Sequence, residues 1–463
     1  MTFPETFGVA LDRDTAVYDA GRTLLGGSPL RLVRLSEGGA AAVGRWRTGG
    51  RPASPAERAL AGRLVDAGLA HPVPPAVVVA DVTVVVPVRD RADDLAACLA
   101  ALGGEVPVLV VDDGSVDAAP VRRLAAEHGA ALLRRERPGG PAAARNAGWD
   151  ACTTAYVAFV DSDCRPAPGW LAPLLAHLAD PDVHAVAPRI IDAPGDGWLA
   201  AFEAARSPLD LRDRAAGVRQ GSRVPYVPAA ALVVRRDCPL RFDESMPVGE
   251  DVDLVWRLAA GGGRVRYEPA SRVAHRHRTR PVPLLHRRFD YGTSAAPLAA
   301  RHPGRLPAVS LNAWSVAAWS LLLARRPVLA SVVTGVAAAR LAHRLEGRTA
   351  SPYAVSVRLA GRGTLGAGRL LAAATTRTWL PVAGAAAVRS RRIRTALAAA
   401  VTVPALLQWL DRRPALDPVR WTAASLLDDA AYCAGVWAGC ARERTLDPLL
   451  PSWRPAEESE IHG

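Results

Sequence analysis

Asp161 and Asp163 stand one residue apart directly after the apolar run 155–160 (AYVAFV). A turn after such a run can aim one carboxylate at a ribose and the other at a divalent cation. Mg²⁺ or Mn²⁺ takes few protein carboxylates and fills its other positions with phosphate oxygens and water, which suits a departing nucleoside diphosphate. The same pair also serves as an ordinary turn or helix cap. Asp112-Asp113-Gly114-Ser115 closes a second apolar run, 106–111 (VPVLVV). A carboxylate there can accept from the N3–H of a uracil, and an Asx turn leading into the next helix uses the same residues. Gly249-Glu250-Asp251-Val252-Asp253 opens a third segment, whose Leu254, Trp256 and Leu258 continue inward. A helix N-terminus favours the ionised carboxylate, so Asp251 would be charged and able to take a proton from a hydroxyl. Acids in a first helical turn are otherwise commonplace.

These residues need a scaffold, and residues 81–160 read as one. Strands at 81–88 (DVTVVVPV), 106–111, 130–135 and 155–160 alternate with helices near 93–102, 118–128 and 141–152. Continuous apolar runs of that length are what a parallel strand buried on both faces requires. Both aspartate clusters then fall beyond the carboxyl ends of strands, where ligands bind in open α/β sheets. Pro-rich stretches at 70–76 (AHPVPPA) and 301–307 (RHPGRLP) read as linkers or turns, giving domains at 1–76, 80–300 and 301–463. The first holds a strand pair over 20–35 with Gly26-Gly27 as its turn and a helix over 57–67, a small module of winged-helix size. A solvated decoration with no activity of its own is the other reading of that module.

Composition narrows the partners. The 463 residues are enough for two or three domains without disulfides. The formal charge of +12 comes from 57 basic residues that are all arginine, a pattern of GC-rich coding more than of a selected basic surface. No nucleic-acid-binding motif accompanies it, so nucleic acid is not an expected partner. The six cysteines form no C-x-x-C pair and have no histidine at zinc-ligand spacing, which fits a reducing compartment. The first residues lack a basic segment followed by an apolar run, so no secretory leader is expected.

The run VTVVVPVRD, VLVVDDGS, RPGGPAAARNAG, VAFVDSDC, GEDVDLVWRL resembles the family 2 glycosyltransferases over about two hundred residues. The resemblance implies a GT-A fold, a nucleoside-diphosphate sugar donor, a divalent metal (Mg or Mn) and inversion at the anomeric carbon. It implies that Pro87, Val88 and Arg89 contact the base by backbone, that Asp113 binds uracil with Asp112 beside it, and that Arg145 lies near base and phosphates. Asp161 and Asp163 would hold ribose and metal, Asp251 would be the general base, and Glu250 would lie on the acceptor side. The Q-x-x-R-W motif of processive members is absent from 271–280 (SRVAHRHRTR). His275, His277 and Arg278 there either approach the diphosphate or form a solvated basic loop. The segments GGSPLRLVRLSEGG and ALAGRLVDAGLAHPVPP resemble PqqD-like peptide-recognition modules, and the whole arrangement resembles the mycofactocin branch of the family. That implies premycofactocin as acceptor, UDP-glucose as donor and a β-1,4-linked glucose chain as product.

The last zone is apolar, Ala-rich and interrupted by arginine. Residues 306–324 carry no charge over nineteen positions, close to the roughly twenty that span a bilayer core. The runs 327–339, 396–410 and 421–441 are shorter or weaker, and their alanine content lowers insertion propensity. The expectation is a helical, membrane-associated region at the cytoplasmic face of the cell membrane. Two rival functions stand beside the transferase of a small acceptor: a membrane transferase acting on a polyprenyl phosphate or envelope glycan, and a non-catalytic peptide-binding protein.

Overall fold

The computed structural model describes residues 3–193, 195–276 and 280–453. They fall into two units, one of residues 3–193 with 206–276 and one of 195–205 with 280–453.

The first unit begins with a small module. The strand Gly8–Leu11 pairs antiparallel with Ala70–Val73, and Ala16–Tyr18, Thr23–Gly26 and Arg31–Arg34 form a three-stranded meander. Its helices, Glu37–Arg47 and Pro55–Asp66, start where Ser36 and Ser54 accept from the backbone N–H of Gly39 and Glu57. Phe7, Leu24, Val33, Trp46, Leu64 and Leu69 fill the core. The strand pair and the helix appear where periodicity puts them. The linker expected over 70–76 does not begin at Ala70: its first four residues are a strand. Pro72 is tolerated there because a two-stranded sheet is all edge, where a missing N–H costs little.

A nine-stranded sheet forms the rest of this unit. Ala131–Arg134, Val108–Asp112, Val82–Val88 and Tyr156–Val160 lie side by side in parallel, as the apolar runs predict. Val82, Val84, Val85, Val86 and Val88 are all buried, so the central strand is covered on both faces. The sheet continues antiparallel into Ala231–Arg235 and again into Val183–Asp192, which pairs in parallel with Arg264–His275, and Cys164–Pro166 and Ala216–Gly217 pair antiparallel with that strand. Helix Gly140–Ala151 comes close to the sheet at Gly148, where an added Cβ would meet Val85 Cγ1 at 2.4 Å.

The second unit is helical: Pro281–Thr293, Ala295–Arg301, Ala313–Leu323, Pro327–Leu345, Pro352–Arg377, Leu380–Arg389, Arg391–Arg412 and Pro418–Glu443. Helix Gly197–Arg206 belongs with them although it interrupts the catalytic sequence. Its Leu199 and Phe202 pack with Leu284, Ala405 and Trp421, and its Glu203 and Asp428 both accept from the buried Arg288. Residues 306–324 are not one helix, contrary to expectation. Ser310–Leu311 is a strand paired with Ser452–Trp453, and Asn312 caps a helix of only 11 residues. At 1.5 Å per residue that helix spans about 16 Å, against about 30 Å of hydrocarbon. Among the described residues two helices are long and apolar enough to cross a membrane, Pro327–Leu345 and Arg391–Arg412, with mean hydropathy of 1.3 and 1.4 over their most apolar windows.

Candidate functional site

Three loops at the carboxyl ends of the parallel strands are stitched together. Asp113 N–H donates to Val88 O at 2.9 Å, Asp90 N–H to Ser115 Oγ at 3.0 Å, and Val116 N–H to Asp90 Oδ1 at 2.8 Å. Val88 is buried, Pro87 half-buried and Arg89 exposed beside Asp90. Asp112, expected beside a donor base, is instead fully buried and accepts from Ser115 N–H at 2.9 Å and from Arg134. Its carboxylate holds the loop. Asp113 accepts from Gly139 N–H at 3.0 Å, Gly140 N–H at 2.8 Å and Arg135. It thereby ties the start of helix Gly140–Ala151 to the strand end. Gly114, at φ +69°, takes a turn that side chains rarely adopt, and a Cβ there would touch Pro138 at 3.0 Å.

Asp161 and Asp163 follow Tyr156–Val160 as expected. Asp161 N–H donates to Ala230 O at 2.9 Å, and its Oδ1 accepts from Arg145 Nη2 at 2.7 Å. Asp163 accepts from Arg91 Nη1 at 2.7 Å, and His275 Nε2 lies 3.6 Å from its other oxygen. His277 and Arg278 lie outside the described residues. No three acidic, histidine or cysteine side chains converge on one point among the described residues. Asp163, with His275 beside it, offers one carboxylate to an ion that would fill its remaining positions with phosphate oxygens and water.

The third acidic segment meets the second through Arg145. This arginine is 4% exposed and donates from Nη1 to Glu250 at 2.8 Å while Nη2 holds Asp161. Burial alone would push its pKa down, but Asp161 and Glu250 outweigh that and hold it above the usual arginine value. Burial raises the Glu250 carboxyl, and Asp251 beside it adds to the rise against the pull of Arg145. Asp251 itself is half-buried in the first turn of helix Glu250–Ala260, which Gly249 enters at φ +88°. Its Oδ2 accepts from Ala229 N–H at 3.1 Å and its Oδ1 from Val252 N–H at 2.8 Å. Ala229 and Ala230 are consecutive, so Asp251 and Asp161 are held by adjacent backbone units. Asp253 is buried and bound to Arg257 one turn on, a structural pairing.

Several residues were not singled out by their sequence pattern. Arg91, Arg134 and Arg135 each sit on one of the acidic groups. Asn146, next to Arg145, accepts from Phe242 N–H and donates to Phe242 O and Glu244, fixing the loop before Gly249. Arg91 precedes a helix and Arg134 and Arg135 stand at a strand end, and Asn146 lies inside helix Gly140–Ala151.

Comparison with known proteins places the chain in a family. The family description Glycosyl transferase family 2 matches residues 83–236. The succinoglycan biosynthesis protein ExoO of Rhizobium meliloti is 31% identical over 214 residues, 43% of this chain and 61% of its own. Among solved structures, the mannosyltransferase PcManGT from Pyrobaculum calidifontis in complex with GDP-Man and Mn²⁺ aligns over 77% of this chain and 87% of its own, at 20% identity and a TM-score of 0.44. The pre-mycofactocin glycosyltransferase of Mycobacterium tuberculosis is 41% identical over 469 residues, covering 97% of this chain and 98% of its own. With both chains matched almost from end to end, the protein belongs to the pre-mycofactocin glycosyltransferases of glycosyl transferase family 2.

Proposed function

We propose that the chain transfers glucose from UDP-glucose, with inversion, to a hydroxyl of premycofactocin, and extends it as a β-1,4-linked chain. The observation that carries the reading is the coupling of Asp251 to Asp161 through adjacent backbone units and through the Arg145 bridge to Glu250. It puts a candidate base and a candidate donor contact in one rigid frame, and rigid positioning supplies much of a displacement's rate. Asp251 takes the acceptor proton as that oxygen forms its bond to C1 and the C1–O bond to the diphosphate breaks. The nucleoside diphosphate leaves with that electron pair, on the face opposite the attack. Arg145 keeps Asp161 and Glu250 ordered, Asp113 closes the base side of the donor pocket, and Glu250 borders the acceptor. A Mg²⁺ or Mn²⁺ ion bound by Asp163, with His275 beside it, would supply positive charge to the leaving diphosphate. Residues 1–76 are proposed to recognise a peptide or a maturation partner.

The acceptor follows the relative's name, and the donor follows the resemblance. Incubating purified protein with premycofactocin and UDP-glucose, with GDP-glucose as comparison and with and without Mn²⁺, tests them. Mass increments of one hexose that appear only with UDP-glucose and Mn²⁺ support the reading; hexose transfer from another donor replaces the donor, and absence of transfer to premycofactocin removes the acceptor. Membrane association at the cytoplasmic face is part of the proposal; the two long apolar helices support the association and not the face. They also favour the alternative acceptor, a polyprenyl phosphate, which the same assay tests with a lipid phosphate in vesicles.

A further inference from the structure

Where the N-terminal module meets the catalytic sheet lies a cavity of ≈ 310 Å³. Asp66 and His71 border it on the module side, and Ala216, Gly217, Arg264 and Arg266 on the sheet side. Four arginines line it, Arg219, Arg223, Arg264 and Arg266, against only two carboxylates, Asp12 and Asp66. Three of the four have acceptors. Arg223 donates to Asp12 at 3.0 Å, Arg264 to Asp66 at 3.1 Å, and Arg219 to the carbonyl of Asp66.

Arg266 differs. It is 3% exposed, yet its Nε and Nη2 have no acceptor. Burial pushes its guanidinium down to about 10, and Glu268, the largest opposing influence, is itself hydrogen-bonded to His177. On the module side, His71 Nδ1 is likewise buried without a partner while Nε2 faces Asp12 at 2.8 Å. A buried cation is costly unless an anion completes it. Nε and Nη2 are the adjacent donors along one edge of the guanidinium, the pair that grips two oxygens of a carboxylate or phosphate at once.

We propose that this cavity recognises a carboxylate or phosphate group on a ligand, gripped in a fork by Arg266 and enclosed by His71 and Arg219 from both sides of the junction. It is not the donor diphosphate site. The strand Arg264–His275 carries Arg266 near one end and His275, beside Asp163, at the other, nine residues and roughly 30 Å away. The site therefore stands apart from the donor and acceptor assignments, and its failure would leave them untouched.

Calorimetric titration of the full chain with inorganic phosphate and, separately, with N-acetylglycine tests it. Saturable binding of one or both is expected; the anion that binds identifies the source as phosphate or carboxylate. Arg266→Met should weaken that binding at least tenfold while leaving the fold intact or more stable, because it removes an unmatched buried charge. Arg266→Lys, which keeps charge but loses the fork, and Arg219→Gln, on an exposed side chain, should weaken it about threefold and carry the test if the methionine variant does not fold. Arg123→Met, on an exposed helix face, should bind as the parent does. No binding of either anion, or binding unchanged by the Arg266 and Arg219 variants, overturns the proposal.

Discussion

Asp251 is held by two backbone N–H groups, one of them two residues before the strand that neighbours Tyr156–Val160. Both bonds survive replacement of the carboxylate by an amide only in part, since one amide edge donates. Asp251→Asn is expected to lower kcat by about 10²–10⁴-fold, the usual range for a general base, with UDP binding nearly unchanged in calorimetry. Equal loss of both would reassign Asp251 to donor binding. Arg145→Met leaves Glu250 and Asp161 without their shared cation. Breaking a buried pair costs about 3–5 kcal/mol, so a drop of that order in denaturant stability should accompany loss of turnover. The acidic residues were legible in the sequence because each follows a strand or opens a helix, and topology puts such ends together. Arg91 and the arginine pair at 134–135 were not, because in a chain whose basic residues are all arginine one more arginine carries no pattern. Asp112 shows the limit from the other side: like Asp113 it is buried, and its carboxylate is engaged by Ser115 and Arg134, which no sequence spacing foretells.

At the scale of elements, the parallel strands and their helices were legible because each apolar run ends at a charged residue, Arg89, Asp112, Arg134 or Asp161. The strands after Val160 were less so, since Ala231–Arg235 runs antiparallel and nothing in its apolar pattern encodes direction. Gly148 marks where helix Gly140–Ala151 touches the sheet. Gly148→Val would force its side chain into Val85 and Val111, and a loss of about 1–3 kcal/mol in thermal or denaturant unfolding is expected from overpacking. The module is tied to the sheet by Asp12, which binds His71 and Arg223. Burial pushes the Asp12 carboxyl up, but those hydrogen bonds prevail and hold it well below the usual carboxylate range. With the folded value below the unfolded one of about 3.9, the stability it contributes is complete above about pH 5. That stability is lost as the pH falls from there toward the depressed value. Asp12→Asn should flatten the acid limb of a stability-versus-pH profile; an unchanged limb would show that other carboxylates set it.

At the scale of the molecule, the helical unit turns large apolar side chains outward. Val403, Leu406, Leu407 and Leu410 are all exposed on helix Arg391–Arg412, of which 6% of the apolar window is buried. The charge-free stretch at 306–324 misled because hydropathy records composition and not the strand pairing and Asn312 cap that cut it short. The full chain is expected to float with anionic vesicles in a density gradient. Leu407→Asp should reduce that partitioning roughly 100-fold if the helix enters the hydrocarbon, and by little if it only lies against the surface.

Helix Gly197–Arg206 gives the order of synthesis a physical meaning. Phe202 leaves the ribosome roughly 220 residues ahead of Trp421, against which its ring packs at 5.3 Å. At about 5–20 residues per second, Leu199 and Glu203 wait roughly 4–17 s for Leu284 and Arg288, and Phe202 on the order of 10–40 s for Trp421. The nine-stranded sheet has all its strands by His275, so the nascent chain then carries every strand of the catalytic layer while this helix still lacks its partners. That interval is when a chaperone or a bilayer has its opening to bind, and a slowed ribosome would lengthen it.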